Sequence, residues 1–473
     1  MILTERYKSK LRDYGISETE IESQFNNISN GAESLQLQGP CTPGNGILIL
    51  KQEDLEKYCT VFDSQKKGCN ITMFTPASGA ATRMFKHLLN PDSNPRLNKE
   101  FKVNLGRFAF YDEIDSEICT VKEKVDFILG KNGLNYAHLP KAMISFHKYN
   151  QEIVKAIDDQ IIEGLNYLTV DGRVKFHYTI SPEHEEVIRQ HLKSFIQKVN
   201  AERDVSVEVE YSFQENHTDT IALNPDGTIV EDENGDILLR PGGHGSLIHN
   251  LNGIDSDFVF IKNIDNIARR EWHSELVKYK KLLGGYLMAF QNEIFEILNE
   301  LDSNPIKERL NNISIHLKDQ WGIVTEDNVT SIRQVLNRPI RVAAMVKNEG
   351  KAGGGPFWVN DSLQIVESAQ MDVKDPKVVE MLQTATHFNP VDIVCALKDY
   401  KGNAFNLNNY VDKETFFVSE KSYLGKDIKV LEHPGLWNGA MAKWLTLFIE
   451  VPVVTFNPVK TVNDLLDPKH STL

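Results

Sequence analysis

Cysteine is scarce in this 473-residue chain and its placement shows no pairing: Cys41, Cys59, Cys69, Cys119 and Cys395 form no CxxC motif and have no histidines beside them at zinc spacing. A disulfide framework and a zinc finger are thereby excluded, and reduced, mostly buried thiols are expected. A basic cluster is also missing. With 52 Lys and Arg against 66 Asp and Glu the net charge is −14, whereas a nucleic-acid platform needs a concentrated Lys/Arg surface, so no nucleic-acid partner is expected. An acidic total still leaves room for a local phosphate site. No apolar run reaches the ~18 residues of a membrane span; one of the longest is LTLFIEVPVV from Leu445. The N-terminus MILTERYKSKLRDYG is charged from its fifth residue and has no apolar h-region, so a cytoplasmic protein with no membrane partner is expected. Two catalytic signatures are absent as well: GxxxxGK followed by Ser or Thr, and GxSxG. Their absence excludes a P-loop and a hydrolase nucleophile elbow.

What the chain does contain is ample apolar material, 41% of its residues, enough for one large core with appendages. Ser17 followed by Glu20 reads as a capping box before Ile21 and Phe25, and the first 60 or so residues read as short helices. QGPCTPGNG at 38–46, with two prolines and three glycines, breaks that periodicity. NITMFT from Asn70 is then a short strand, followed by a small-residue turn and the helix-like TRMFKHLL. HKYNQEIVKAIDDQIIEGL has helical spacing, residues 183–199 form a further helix opened by Ser181 and Pro182, and VSVEVEYSF alternates as a strand. DFVFIKNID, RVAAMVKN, LQIVESA and VDIVCALK read as strands, with a long helix around 271–300 between the first two. Strands interleaved with helices predict an α/β fold of three layers, a mixed and mostly parallel sheet with helices on both faces. The expected organisation is a helical N-terminal extension at 1–69, a core at 70–400 and a C-terminal extension at 401–473. GKAGGGP at 350–356 suits a loop or hairpin.

The strongest chemical signal is TPASGAATRMFK. At the end of a strand, its small residues let backbone N–H groups approach a polyphosphate, a following helix adds partial positive charge, and Arg83 can bind phosphate oxygens bidentately. The same residues also fit a tight strand-to-helix turn with a surface arginine. RPGGHGSL at 240–247 is a second signal, because adjacent glycines permit close backbone contact with a flat base or ribose and His244 offers a hydrogen bond; alone, it also reads as a turn. Asp265 follows the apolar strand of FVFIKNIDNI, where an α/β sheet places its ligand crevice, and can hold Mg²⁺ against phosphate oxygens or serve as a turn residue.

Together these pieces resemble a known enzyme group. PASGAATR is similar to the LxGGxGTR loop of sugar nucleotidyltransferases, LPKAMISFH to their downstream PK segment, and PGGHGSL with IKNIDN to the PxGHG and VDN motifs of UDP-sugar pyrophosphorylases. Over nearly the whole chain, SFQENHTDTIA, RPGGHGSLIHNLN, FIKNIDN, GGGPFWV, THFNPVD and GLWNGAMA resemble a bacterial family of uncharacterised function. The resemblance implies a nucleotide-diphospho-sugar transferase fold of GT-A type. It implies that a nucleotide or nucleotide-sugar and a sugar phosphate are the ligands, that uridine is the base, and that Mg²⁺ or Mn²⁺ is the cofactor. It puts Ala77, Ser78, Gly79, Ala80, Ala81 and Thr82 around base and phosphates, with Arg83 and Lys141 as the catalytic cations. Gln214, Gly242, Gly243 and His244 fall near base and ribose, Glu367 and Asn389 near the sugar, and Asp265 on the metal, with Asp372 a candidate second ligand. The implied reaction joins a sugar 1-phosphate to an NTP, giving an NDP-sugar and pyrophosphate.

The chain departs from the pyrophosphorylase pattern in three ways. Ser78 and Ala81 replace loop glycines, Met84 and Phe85 follow the arginine, and about 55 residues separate Arg83 from Pro140 and Lys141. Two other functions therefore compete with the first. A glycosyltransferase of the same fold calls for a DxD metal motif, for which DSD at 255–257 is the near match. A non-catalytic nucleotide-binding protein needs only the pocket. HEEVIRQH at 184–191 lacks HExxH spacing and reads as a solvated helix face, and EDENGD at 231–236 reads as a hairpin turn.

Overall fold

The computed structural model describes residues 3–303, 305–349 and 354–471. Most expected elements form where their side-chain patterns change. Ser17 accepts a hydrogen bond from the Glu20 amide and caps the helix Glu18–Asn30. The apolar run after Asn70 becomes the strand Ile71–Pro76, buried along its first five residues, as a strand covered on both faces should be. The long helix is His273–Leu301, and EDENGD is a tight turn closed by a bridge between Glu231 and Ile237. Of the glycine-rich stretch at 350–356, residues 350–353 lie outside the described residues.

By packing, the chain divides into two compact units, neither of them continuous in sequence. One comprises the residues through Leu50, Gln214–Asp257 and Tyr286–Glu450; the other comprises Lys51–Phe213, Phe258–Gly285 and the residues from Val451 onward. This differs from the linear three-part division expected. The N-terminal helices pack closely: Leu11, Ile21 and Ile28 join Ile221, Leu223 and Leu431 in one apolar cluster. The C-terminal stretch likewise supplies the strand Leu445–Glu450 to the first unit, parallel to Ile340–Lys347.

In the second unit four strands run parallel, in the order Phe258–Lys262, Ile71–Pro76, Arg173–Thr179, Ser206–Ser212. The helices Ala156–Leu168 and Glu185–Arg203 make the connections that parallel neighbours require. In the first unit Gly46–Leu48, Leu445–Glu450 and Ile340–Lys347 are parallel, and Asp392–Ala396 runs antiparallel to the last of these. The expected mixed, mostly parallel α/β architecture is thus present. Among the described residues no helix is long and apolar enough to cross a membrane.

Three readings need correction. HKYNQEIVK is a hairpin, Ser145–Tyr149 against Glu152–Lys155, turned at Asn150 with φ +55°, and only from Ala156 does helical spacing prevail. The helix expected over TRMFKHLL shrinks to a 3₁₀ turn, Ala81–Arg83, and a four-residue helix, Lys86–Leu89, because Met84 and Phe85 turn into an aromatic cluster with Phe101, Phe108, Phe110 and Tyr136. A dipole of useful size does not form in so short a helix. The histidines of HEEVIRQH do not simply face solvent: His184 is buried with Nε2 2.9 Å from the His138 carbonyl, and half-buried His191 pairs with buried Asp158.

Candidate functional site

The loop after strand Ile71–Pro76 is held from two sides. The Ala77 amide donates to the Thr179 carbonyl, and the Ser181 hydroxyl donates to the Ser78 carbonyl. On the other side Leu139–Lys141 runs antiparallel to Gly79–Ala81: Ala81 N–H donates to Leu139 at 3.0 Å and Lys141 N–H to Gly79 at 3.2 Å. The stretch between Arg83 and Pro140 is thus a detour with its own aromatic core that returns the chain to its starting point. Fixed this way, Ser78, Gly79 and Ala80 have backbone N–H groups with no hydrogen-bond partner among the described residues. A Cβ at Gly79 would meet no protein atom within 4 Å, so packing does not demand glycine there. Thr82 uses its hydroxyl on the Ala137 carbonyl, and Arg83 is exposed with no ion pair among the described residues. Such a loop, with three unpaired amides and a nearby exposed guanidinium, suits an anion.

Lys141 reaches from this strand pairing to Asp265. Its Nζ lies 2.9 Å from Oδ2 and 3.0 Å from the Val459 carbonyl, and Lys460 approaches the same oxygen at 3.1 Å. Asp265 is nearly buried, in a turn just past strand Phe258–Lys262. Burial opposes its ionisation, but the two ammonium groups outweigh burial and hold its carboxyl below the usual range. Lys460 was not legible as a site residue; it sits in NPVK near the chain's end with no motif around it.

The other predicted residues belong to the first unit. Gly242 and Gly245 are demanded by packing, since a Cβ on Gly242 would stand 2.4 Å from His433 and one on Gly245 would stand 2.2 Å from the Pro434 carbonyl. Gly243, at φ +81°, adopts the left-handed backbone that glycine tolerates. These glycines therefore have a structural reason that needs no base or ribose. His244 stacks on Trp437 with centroids 4.3 Å apart, and its Nδ1 accepts from the Leu436 amide at 3.1 Å. That bond leaves Nε2 facing the Glu367 carboxylate at 3.6 Å, so two residues far apart in sequence do meet. Gln214 donates toward the Ser246 hydroxyl at 3.3 Å. Asn389 is buried with both amide atoms engaged, Nδ2 on the Ala344 carbonyl and Oδ1 on the Val391 amide, which gives it a part in shaping a turn. Asp372 accepts from the Lys374 amide in a turn. Lys398 pairs with both DSD carboxylates, at 3.0 Å to Asp255 and 3.1 Å to Asp257.

The fold is nucleotidyltransferase-like. The crystal structure of UDP-N-acetylglucosamine pyrophosphorylase from Trypanosoma brucei with an inhibitor matches 97% of this chain and 76% of that one, with a TM-score of 0.52 at 11% identity. A UDP-glucose pyrophosphorylase mutant from Leishmania major in complex with UDP-glucose matches 98% of this chain and 78% of that one, with a TM-score of 0.48 at 13% identity. The chain itself belongs to the family described as a domain of unknown function, DUF4301, whose model matches residues 4–471. No curated protein matches the sequence.

Proposed function

We propose that this protein is a nucleotidyltransferase that joins a sugar 1-phosphate to a uridine nucleotide, releasing pyrophosphate. The observation that carries the reading is the return of the chain at Leu139–Lys141 onto Gly79–Ala81, which groups Lys141, the unpaired amides of Ser78, Gly79 and Ala80, and Arg83 in one small region. A phosphate oxygen of the sugar attacks the α-phosphorus in line, the bond to the β,γ-diphosphate breaks, and the electron pair leaves on pyrophosphate. Little covalent work falls to the protein, whose task is to position the groups and neutralise charge. In this reading Arg83 meets the leaving pyrophosphate and Lys141 the transferring or sugar phosphate.

Mg²⁺ or Mn²⁺ on Asp265 fits the residues poorly. Its carboxylate already carries two ammonium groups, and a hard dication seeks uncommitted oxygens. Asp265 is better read as a positioning residue that aims Lys141, with Lys460 adding positive charge, and no step is routed through a protein-bound metal. Exchange of labelled pyrophosphate into UTP in the presence of an NDP-sugar panel, with Mg²⁺ in the buffer, tests the reaction: label entering UTP is expected. Release of sugar without label in UTP would instead favour a glycosyltransferase. Nucleotide binding with no turnover would leave a binding protein.

A further inference from the structure

Glu215, His217 and His249 form a cluster that the nucleotide reading does not use. Glu215 caps a 3₁₀ turn, Asn216–Thr218, and the turn puts the Glu215 carboxylate 3.0 Å from His217 Nδ1. The turn is pinned: the Thr218 hydroxyl donates to the Glu215 carbonyl at 2.6 Å, and His433 Nε2 lies 2.8 Å from the Thr218 carbonyl. His249, on the helix Leu247–Asn252, brings its ring edge-on to His217 with centroids 4.8 Å apart. One donor atom from each of the three lies within 4.8 Å of the others. The imidazole nitrogens of His249 have no hydrogen-bond partner among the described residues, which a simple Glu–His surface pair does not explain.

We propose that these three side chains bind a divalent transition-metal ion of the Zn²⁺ class. Donors at ~2.1 Å around a tetrahedral ion stand roughly 3.4 Å apart, so the cluster needs only side-chain rotation to close. Two imidazoles and one carboxylate select zinc and its neighbours over Mg²⁺ or Ca²⁺, which prefer all-oxygen shells. His217 and His249 also line a cleft of about 620 Å³ together with Ser246, Lys413 and His433. Three protein ligands beside an open cleft leave coordination positions for solvent, the arrangement of an exchangeable site. The inference stands apart from the nucleotide reading, and its test contains no nucleotide.

The full-length protein, stripped with EDTA and dialysed, is titrated with Co²⁺ while its visible absorption is followed, and Zn²⁺ retained after desalting is counted by mass spectrometry. Close to one Zn²⁺ per chain is expected, and His249→Gln, His217→Gln and Glu215→Gln should each weaken Co²⁺ affinity ~10-fold or more, at least the loss seen for an outer-shell partner. His316→Gln is the control, because His316 pairs with Glu293 at 2.6 Å without belonging to the three-residue cluster; it should bind as the wild type does. Glu215 is exposed, so Glu215→Gln supplies a folded variant, checked by an unchanged melting temperature in EDTA. Zn²⁺ well below one per chain, or triad variants that bind as tightly as the wild type, would overturn the proposal.

Discussion

Replacing Asp265 by Asn separates the two roles a carboxylate at this place can have. The change keeps shape and removes the charge that faces both Lys141 and Lys460, leaving the Lys141 ammonium with the Val459 carbonyl. Side-chain exposures of 10% for Asp265, 16% for Lys141 and 57% for Lys460 decide the size of the effect. A broken buried pair costs about 3 to 5 kcal/mol, whereas an exposed pair contributes about 0 to 1 kcal/mol. With one partner largely buried and one solvated, a loss of about 2 kcal/mol is expected between these limits. Denaturant unfolding at several pH values measures it. Because the Asp265 pKa is lowered in the folded protein, its contribution is fully present above the unfolded carboxyl value of ~3.9 and is lost as pH falls through the folded value. The difference between wild type and Asp265→Asn should therefore be flat from neutral pH down to about 5 and shrink only at still lower pH. Equal stability at pH 7, or a difference that grows on acidification, would refute the ion-pair account. If Asp265→Asn unfolded like the wild type yet lost activity that added Mg²⁺ restored, Asp265 would be a metal ligand after all.

Three other changes address the loop and the glycines. Arg83→Ala should leave the unfolding midpoint unchanged, since the side chain is exposed and unpaired among the described residues, while lowering pyrophosphate exchange by ~100-fold, the scale for one charge-stabilising group. Millimolar UTP should raise the melting temperature of the wild type by mass action; a Gly79→Ala variant, whose new Cβ meets nothing in the protein, should keep its stability but show a smaller UTP shift. Gly242→Ala, which drives a Cβ to 2.4 Å from His433 and 2.6 Å from the Thr218 carbonyl, should cost about 1 to 3 kcal/mol in the same denaturation assay.

Local patterns sufficed for much of the fold. Strand Ile71–Pro76, the alternating strand Ser206–Ser212 and the long helix His273–Leu301 each carry their period in their own side chains, and the small residues of PASGAAT declare a turn that leaves backbone exposed. The proposal of phosphate chemistry near Arg83 and Lys141 starts from the same kind of signal, because residue type and proximity to a strand end are local properties. What the sequence could not reveal depends on distant segments meeting. The partnership of Asp265 with Lys141 and Lys460 joins three positions spread over more than 300 residues, and it gives an expected metal ligand two ammonium partners. Gly242 reads as a ligand-binding glycine, yet the approach of His433 and the Thr218 carbonyl gives it a packing reason of its own. Asn389 reads as a free polar group until the Ala344 carbonyl takes its amide. Hydrophobic periodicity records which face of an element is buried; which partner buries it, and whether a charge finds another charge there, is decided only when the chain closes on itself.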